Sequence, residues 1–339
     1  MKSWGLLLVA ACYAPSLKAG SPCDQGPCPS GLVCSPTTLT CERTAVEGID
    51  AATDSTSVVA DGGTDAQAHL SNDGPGGAID VSAGGTFSED ISLAMNDAPE
   101  TGCGGDGGRD VFYAITLPTA EVVYFDTFGS SFGTSVRIYA GKQCGQINGN
   151  PNCTHDSCGG AQAQIAMQLP PGTSCIVVDQ HAGDTTSALT LNVKRGGRKG
   201  QPLQSGVQTT TGDTCTGTDA DNVDTTVNGC IGADDQAAKD LSYFFTVCPN
   251  TTTKLDASTC ADATLTHFDT IIYTHGWDKP QVACNDDTNT CTARPDRIDG
   301  HPDGSVLQNV PVAGPGAFWL VVDGYANACG GYQLVTNLH

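Results

Sequence analysis

The chain has 339 residues, with 37 acidic side chains against 15 basic ones and a formal charge of −22 at neutral pH. That balance repels a phosphate backbone and argues against nucleic acid as a partner. No apolar run beyond the first dozen residues approaches the roughly 20 needed to span a bilayer. Abundant Gly with Thr, Val, Asp and Asn, and no long Ala/Leu/Glu/Lys run, points to short strands joined by turns.

Met1-Lys2-Ser3 form a basic start, Trp4 to Ala11 an apolar stretch, and Val9-Ala10-Ala11-Cys12 a small-residue cleavage site. These are the parts of an export signal. A cysteine directly after the small residues resembles the lipobox of bacterial lipoproteins, where it is lipidated and becomes the mature N-terminus. The other reading is an ordinary signal peptide cut near Ala19 or Gly20. Both send the chain to an oxidising compartment. Tyr13, not Asp, follows Cys12, so the lipobox resemblance implies the outer membrane rather than retention at the inner one. Seventeen cysteines less Cys12 leave sixteen, an even set for disulfides.

Residues 12–42 hold Cys23, Cys28, Cys34 and Cys41, spaced too closely for a packed core. A disulfide-held module follows; of the possible pairings, the interleaved Cys23–Cys34 and Cys28–Cys41 is preferred. Zinc is the competitor, but the C-x-x-C knuckle is missing. The wording CPSGLVC resembles small cysteine-rich modules near the N-termini of secreted bacterial lipoproteins. Residues 43–71, rich in Ala, Asp, Thr and Ser, bury too little apolar surface to order themselves and read as a linker.

The remaining chain is an internal repeat. Unit one, 72–195, runs TGCGG, RDVFYAITLP, FGTSVRIY, NCTHDSC, PGTSCIVVDQ, ALTLNV; unit two, 212–339, runs NGCIG, KDLSYFFTVCP, FDTIIYTH, ACNDDTNTC, PGAFWLVVDG, GYQLVTNL. Tyr113 matches Tyr243, Phe132 matches Phe268, Thr134 matches Thr270 and Asp179 matches Asp323. Residues 196–211, polar and Gly-rich, read as a linker. Val111, Tyr113, Ile115 and Leu117 alternate as a half-buried strand should, while Ile176–Val178 and Trp319–Val322 read as central strands. The expected fold is all-β: two tandem antiparallel β-sandwiches of roughly eight strands each, jelly-roll-like, after the small module and a disordered linker.

The run DVFYAITLP…FGTSVRIY…CTHDSC…PGTSCIVVD resembles the pre-peptidase C-terminal domain and its jelly-roll relatives, over roughly Asn72 to His339. Unit two is nearer the usual wording, with FDTIIY, CNDD and GAFWLVVDGY. The resemblance implies a module that accompanies a secreted protease or hydrolase and aids secretion, folding or substrate binding. Unit one departs from it, with Gly133 in place of the Asp of FDT and Gln180 after VVD.

Asp269, Asp286, Asp287 and Asp323 stand at strand ends or loops in unit two, where hard oxygen ligands can converge on calcium with Asn285 and loop carbonyls. The competing reading is that they are turn formers. In unit one, Asp156 and Asp179 remain. Gly129-Ser130-Ser131-Phe132-Gly133 matches G-x-S-x-G, but a strand follows where a nucleophile elbow needs a helix, so it reads as a surface turn. His155, His181, His267, His275 and His301 form no zinc motif, and the basic run Lys194–Lys199 reads as a solvated, protease-sensitive connection. For disulfides, spacing favours Cys153–Cys158, Cys284–Cys291, Cys215–Cys230, Cys248–Cys260 and Cys144–Cys175. Unit one holds five cysteines and unit two seven, so either one bond crosses between units or two thiols stay free.

These readings describe an outer-membrane lipoprotein, or a secreted protein, with no catalytic residues and no cofactor besides calcium. Its partners are the membrane, through a lipid on Cys12, and a polysaccharide or protein; its oligomeric state is unknown. The rival is a secreted hydrolase or hydrolase accessory subunit with an unrecognised site.

Overall fold

The computed structural model describes residues 33–34, 41–42, 70–98, 102–104, 107–231, 233, 238–260, 268–278, 280–286, 291 and 304–339. Cys12, the pairings Cys23–Cys34 and Cys28–Cys41, Asp287, His267, His301 and nearly all of 43–71 lie outside the described residues. In the N-terminal unit, β1 (Val33–Cys34) pairs antiparallel with β2 (Cys41–Glu42).

From Leu70 onward the described chain is strands, turns and short 3-10 segments, with no α-helix. The first sandwich holds β3 (Ile79–Asp80), β4 (Gly85–Asp90), β5 (Gly107–Leu117), β6 (Glu121–Asp126), β7 (Thr134–Tyr139), β8 (Asn152–His155), β9 (Gln164–Leu169), β10 (Gly172–His181) and β11 (Ala188–Arg195). The second holds β12 (Gln201–Pro202), β13 (Gly206–Asp213), β14 (Leu241–Val247), β15 (Thr252–Ser258), β16 (Thr270–Gly276), β17 (Gln281–Asn285), β18 (Val306–Ala313), β19 (Gly316–Gly324) and β20 (Gly331–Leu338).

The duplication is complete at the level of topology. Sheets ordered β3-β5-β10-β7-β8 and β4-β11-β6-β9 in the first sandwich answer to β12-β14-β19-β16-β17 and β13-β20-β15-β18 in the second. Even the short parallel edge recurs, β3 on β5 and β12 on β14. Each unit therefore has nine strands rather than eight. The ninth in unit two is what the expected linker 196–211 conceals. Residues 206–213 pair with β20 along its whole length, because a strand of Thr and Gln with one face wet carries no apolar signal.

The cores follow from alternation. Val111, Tyr113, Ile115 and Leu117 of β5 point into the first core with Val123, Phe125, Ile176, Val178 and Leu191. Tyr243, Phe245, Leu255, Phe318, Leu320, Tyr332 and Leu334 fill the second. β10 and β19, the continuous apolar runs, are the central strands of their five-stranded sheets. A sheet buried on both faces needs apolar residues at every position.

Six disulfides join the described cysteines. Cys144–Cys175 is present. Four other expected pairs are replaced. Cys153 bonds Cys103 instead of Cys158, and Cys284 bonds Cys230 instead of Cys291 or Cys215. Cys291 bonds Cys260, Cys215 bonds Cys329, and Cys158 bonds Cys248 in the other sandwich. The reasons are geometric. Cys248 precedes and Cys260 follows β15, a strand of seven residues that keeps them roughly 20 Å apart at about 3.3 Å per residue. The register of β13 with β20 places Asp213 opposite Gly331 and so brings Cys215 to Cys329. Cys153 lies within β8, whereas Cys158 itself has a positive φ of 67° in the turn after β8 and bonds the second sandwich.

Candidate functional site

Four sheet faces turn away from the two cores, and three are wholly or partly covered. In the first sandwich Phe112, Tyr139, Cys175 and Val177 on the five-stranded sheet are capped by Ala98 and Cys144 of the same unit. In the second, Phe244, Ile271, Trp319 and Val321 are capped by Val223, Cys230 and Ala233, and by Val122 of β6 in the first sandwich. That last contact also covers part of the four-stranded sheet of unit one, where every residue of β6 is buried.

The joint between sandwiches is a built structure. The Gly196 N–H donates to the Val122 carbonyl and the Val122 N–H to the Arg198 carbonyl, so the connection extends β6 instead of looping free. Arg198 lies over the Trp319 ring, 4.4 Å from its centroid, and pairs with Asp221. Asp221 in turn meets His275 Nε2 at 2.6 Å. Burial pushes the Asp221 carboxyl up, but the His275 hydrogen bond and the Arg198 charge outweigh it and hold it below its ordinary value. Trp277 stacks on Trp319, with centroids 4.6 Å apart. A Cβ on Gly196 would stand 2.6 Å from the Trp277 ring, which is why the connection is glycine there. Arg195 forks onto Glu121 at 2.6 and 3.0 Å, and Lys194 reaches Asp278 at 3.2 Å. The basic run is therefore a strap and not a solvated linker.

The four-stranded sheet of the second sandwich, β13-β20-β15-β18, carries a groove of about 610 Å³ on its outer side. Val207, Asp256, Ser258, Gln308, Asn309 and Asn337 contribute to its lining. Alternation along β15 turns Asp256 outward between buried Leu255 and Ala257, opposite a bulge at Gln308–Asn309 of β18. Its Oδ1 accepts from the Asn309 N–H at 2.6 Å and its Oδ2 meets His339 Nε2 at 3.1 Å. The Asn309 hydrogen bond, and then His339, hold this carboxyl below its ordinary value, so it is charged at neutral pH. The lining sets amides, hydroxyls and a carboxylate beside Val207, Val306 and Val335, and has no aromatic ring. A groove of this size with fixed polar groups suits a ligand read by hydrogen bonds.

The sequence-derived metal residues separate into two kinds. Asp323 is fully buried; its Oδ1 accepts from the Gly324 N–H at 2.7 Å and its Oδ2 from the Tyr273 hydroxyl at 3.4 Å. Its repeat-mate Asp179 is buried against Arg137, the residue that stands where unit two has Tyr273. Both are internal fastenings. Asp269 and Asp286 lie at the end of the second sandwich, Asp269 through its carbonyl to the Tyr325 N–H and Asp286 through its N–H to the Gly229 carbonyl. With Asp287 outside the described residues, Asp269, Asp286 and Asp323 do not converge as a set of three. In the G-x-S-x-G turn, Ser130 Oγ donates to the Thr190 carbonyl and Ser131 Oγ accepts from the Ala188 N–H, as turn residues do.

A signal for the disulfides went unread. Cys103 and Cys230 occupy one repeat position, Cys153 and Cys284 another, and in both units these positions bond to each other. Also unmarked were Thr127 and Thr259, whose buried hydroxyls bond Thr134 and Thr270 in the two units. The groove had no sequence signal, since β13 was read as linker.

No family model and no curated protein matches the chain. Among solved structures, the CUB1-EGF-CUB2 domains of rat MASP-1 are 9% identical, over 77% of this chain and 99% of that one, with a TM-score of 0.20. The extracellular domain of ANXUR2 from Arabidopsis thaliana is 9% identical over 74% and 88%, with a TM-score of 0.20. A Paenibacillus cycloisomaltooligosaccharide glucanotransferase is 11% identical over 72% and 47%, with a TM-score of 0.17. At such scores none of them bears on what this chain binds.

Proposed function

We propose that the chain is an outer-membrane lipoprotein, anchored through Cys12, whose sandwiches bind polysaccharide or protein without catalysis. The observation that carries the binding role is the open face of the second sandwich, with Asp256 and Asn337 held on a rigid sheet. Three of the four outer faces are wholly or partly covered, and this one carries the groove of about 610 Å³. Six disulfides place the folded chain in an oxidising compartment. No helix among the described residues is long and apolar enough to cross a membrane, so the envelope reading depends on the lipid.

Two measurements test this reading. Cells fed a fatty-acid analogue should label the wild-type chain and not Cys12→Ser; absent label, or label persisting in the variant, overturns the anchor. On an array of immobilised envelope polysaccharides and proteins, Asp256→Ala with Asn337→Ala should lose at least tenfold in binding at an unchanged melting temperature. Equal binding by the variant overturns the groove as the site.

A further inference from the structure

We infer that the first sandwich carries a site for a borderline divalent transition metal, of the zinc class, formed by His155, Asp156 and His181. His155 ends β8 and His181 ends β10, the two strands that flank β7 in the sheet. His155 stands opposite Ser135 of β7, and the His181 N–H bonds the Gly133 carbonyl just before that strand. Both histidines thus reach the same end of the sheet from either side of one strand.

Gly133 lies between them. A Cβ there would stand 2.4 Å from His181 Nδ1, and a Cβ on Gly104 would stand 2.4 Å from His155 Nε2. The absent side chains are what let the two rings lean together, with centroids 6.4 Å apart. Asp156 completes the group, its Oδ2 at 3.2 Å from His155 Nδ1 and its Oδ1 at 3.7 Å from His181 Nδ1. One ligand atom from each of the three lies within 4.8 Å of the others. Small side-chain rotations close that to the roughly 3.3 Å between ligands of a tetrahedral zinc.

The turn is held before any ion arrives. Cys153–Cys103 fastens it two residues before His155, and Cys158–Cys248 fastens it two residues after Asp156. Preorganisation of this kind lowers the ordering cost of binding. The ring of His181 adds a second observation. Its Nδ1 faces the carboxylate, while its Nε2 is sequestered with no hydrogen-bond partner. Nδ1 is therefore the ring atom that the turn presents to an ion shared with Asp156.

The repeat sharpens the chemistry. Counting from the paired cysteines, His155 and Asp156 stand where unit two has Asp286 and Asp287; Gly133 stands where it has Asp269, and His181 where it has Tyr325. The backbone bond agrees, since the Tyr325 N–H donates to the Asp269 carbonyl as His181 does to Gly133. The same sheet end thus carries carboxylates in one unit and imidazoles in the other. Imidazole with one carboxylate favours zinc, copper or nickel over calcium. Three ligands on a partly exposed turn leave coordination positions open to water or to a ligand from outside.

The test is zinc titration of the full chain without a histidine tag, read against a chromophoric chelator. One equivalent should bind, and a hundredfold excess of calcium should not displace it. His155→Gln with His181→Gln should weaken binding at least tenfold, whereas His339→Gln should leave it unchanged. The metal-free melting temperature of the double variant should match wild type, because neither ring belongs to a hydrophobic core cluster; zinc should raise the wild-type midpoint only. No stoichiometric binding, or binding unchanged in the double variant, overturns the site. A double variant that melts early is replaced by Asp156→Asn with His181→Gln, judged by the same loss.

Discussion

The guanidinium of Arg137 donates to the carboxylate of Asp179 on the covered outer face of the first sandwich's five-stranded sheet, where neither side chain meets solvent. Unit two makes the same fastening with a neutral group, the Tyr273 hydroxyl to Asp323. A buried ion pair contributes little over an apolar replacement, but removing one partner strands the other charge. Arg137→Leu should therefore destabilise by about 3–5 kcal/mol, read as a loss of urea midpoint. Arg137→Leu with Asp179→Leu should recover most of it. A single variant as stable as the double would mean that water reaches Asp179.

Asp110 lies beside that pair in sequence register, opposite Asp179 across β5 and β10. Burial pushes its carboxyl up to about 6, against the Ala98 N–H and the charge of Arg137, which pull it down. Because the folded value exceeds the unfolded one, the native state holds this proton more tightly. The group's contribution is most favourable near pH 4 and declines as pH rises through 6. Asp110→Asn should gain on the order of 1–3 kcal/mol over wild type at pH 7.5, with the difference closing towards pH 4. Thermal unfolding across that range checks it, and a gap that widens on acidification contradicts the assignment.

Much of this was legible in the sequence, for one physical reason. Period-two alternation and continuous apolar runs report burial directly, so the two sandwiches and their central strands at Ile176–Val178 and Trp319–Val322 could be read. β13 could not, because Val207, Thr209 and Thr211 face water and pair through backbone alone. The strap failed for the opposite reason. Lys194–Lys199 has the composition of a solvated linker, and its docking is decided by Trp277 and Trp319, some eighty and one hundred and twenty residues away. Spacing also misled where cysteines were close in sequence, since sheet register sets the bonds.

The bond across the sandwiches should be found directly. A non-reduced digest analysed by mass spectrometry should yield a peptide containing Cys158 linked to one containing Cys248, and another linking Cys103 to Cys153. Cys158→Ser with Cys248→Ser should leave both cores folded but lower overall stability, by about 2–4 kcal/mol on the loop-entropy account. A Cys153–Cys158 peptide in the wild-type digest would contradict the observed arrangement.

The strap makes a prediction opposite to its composition. Lys194, Arg195, Arg198 and Lys199 are four trypsin sites within six residues, yet the backbone at Gly196 and Arg198 is hydrogen-bonded to Val122 and three of the four side chains hold carboxylates. A protease cuts mobile, exposed chain, so the native protein should resist cleavage there while a free linker would be cut first. Arg198→Ala removes the contact with Trp319 and the ion pair with Asp221, a loss of roughly 1–3 kcal/mol in local opening. Where cleavage follows the open population, each 1.4 kcal/mol is about a tenfold faster cut. The variant should therefore be nicked at least several-fold faster at fixed trypsin, and cleavage of Arg195→Gln should rise less, since Arg195 fastens the strap to its own sandwich and not to the joint.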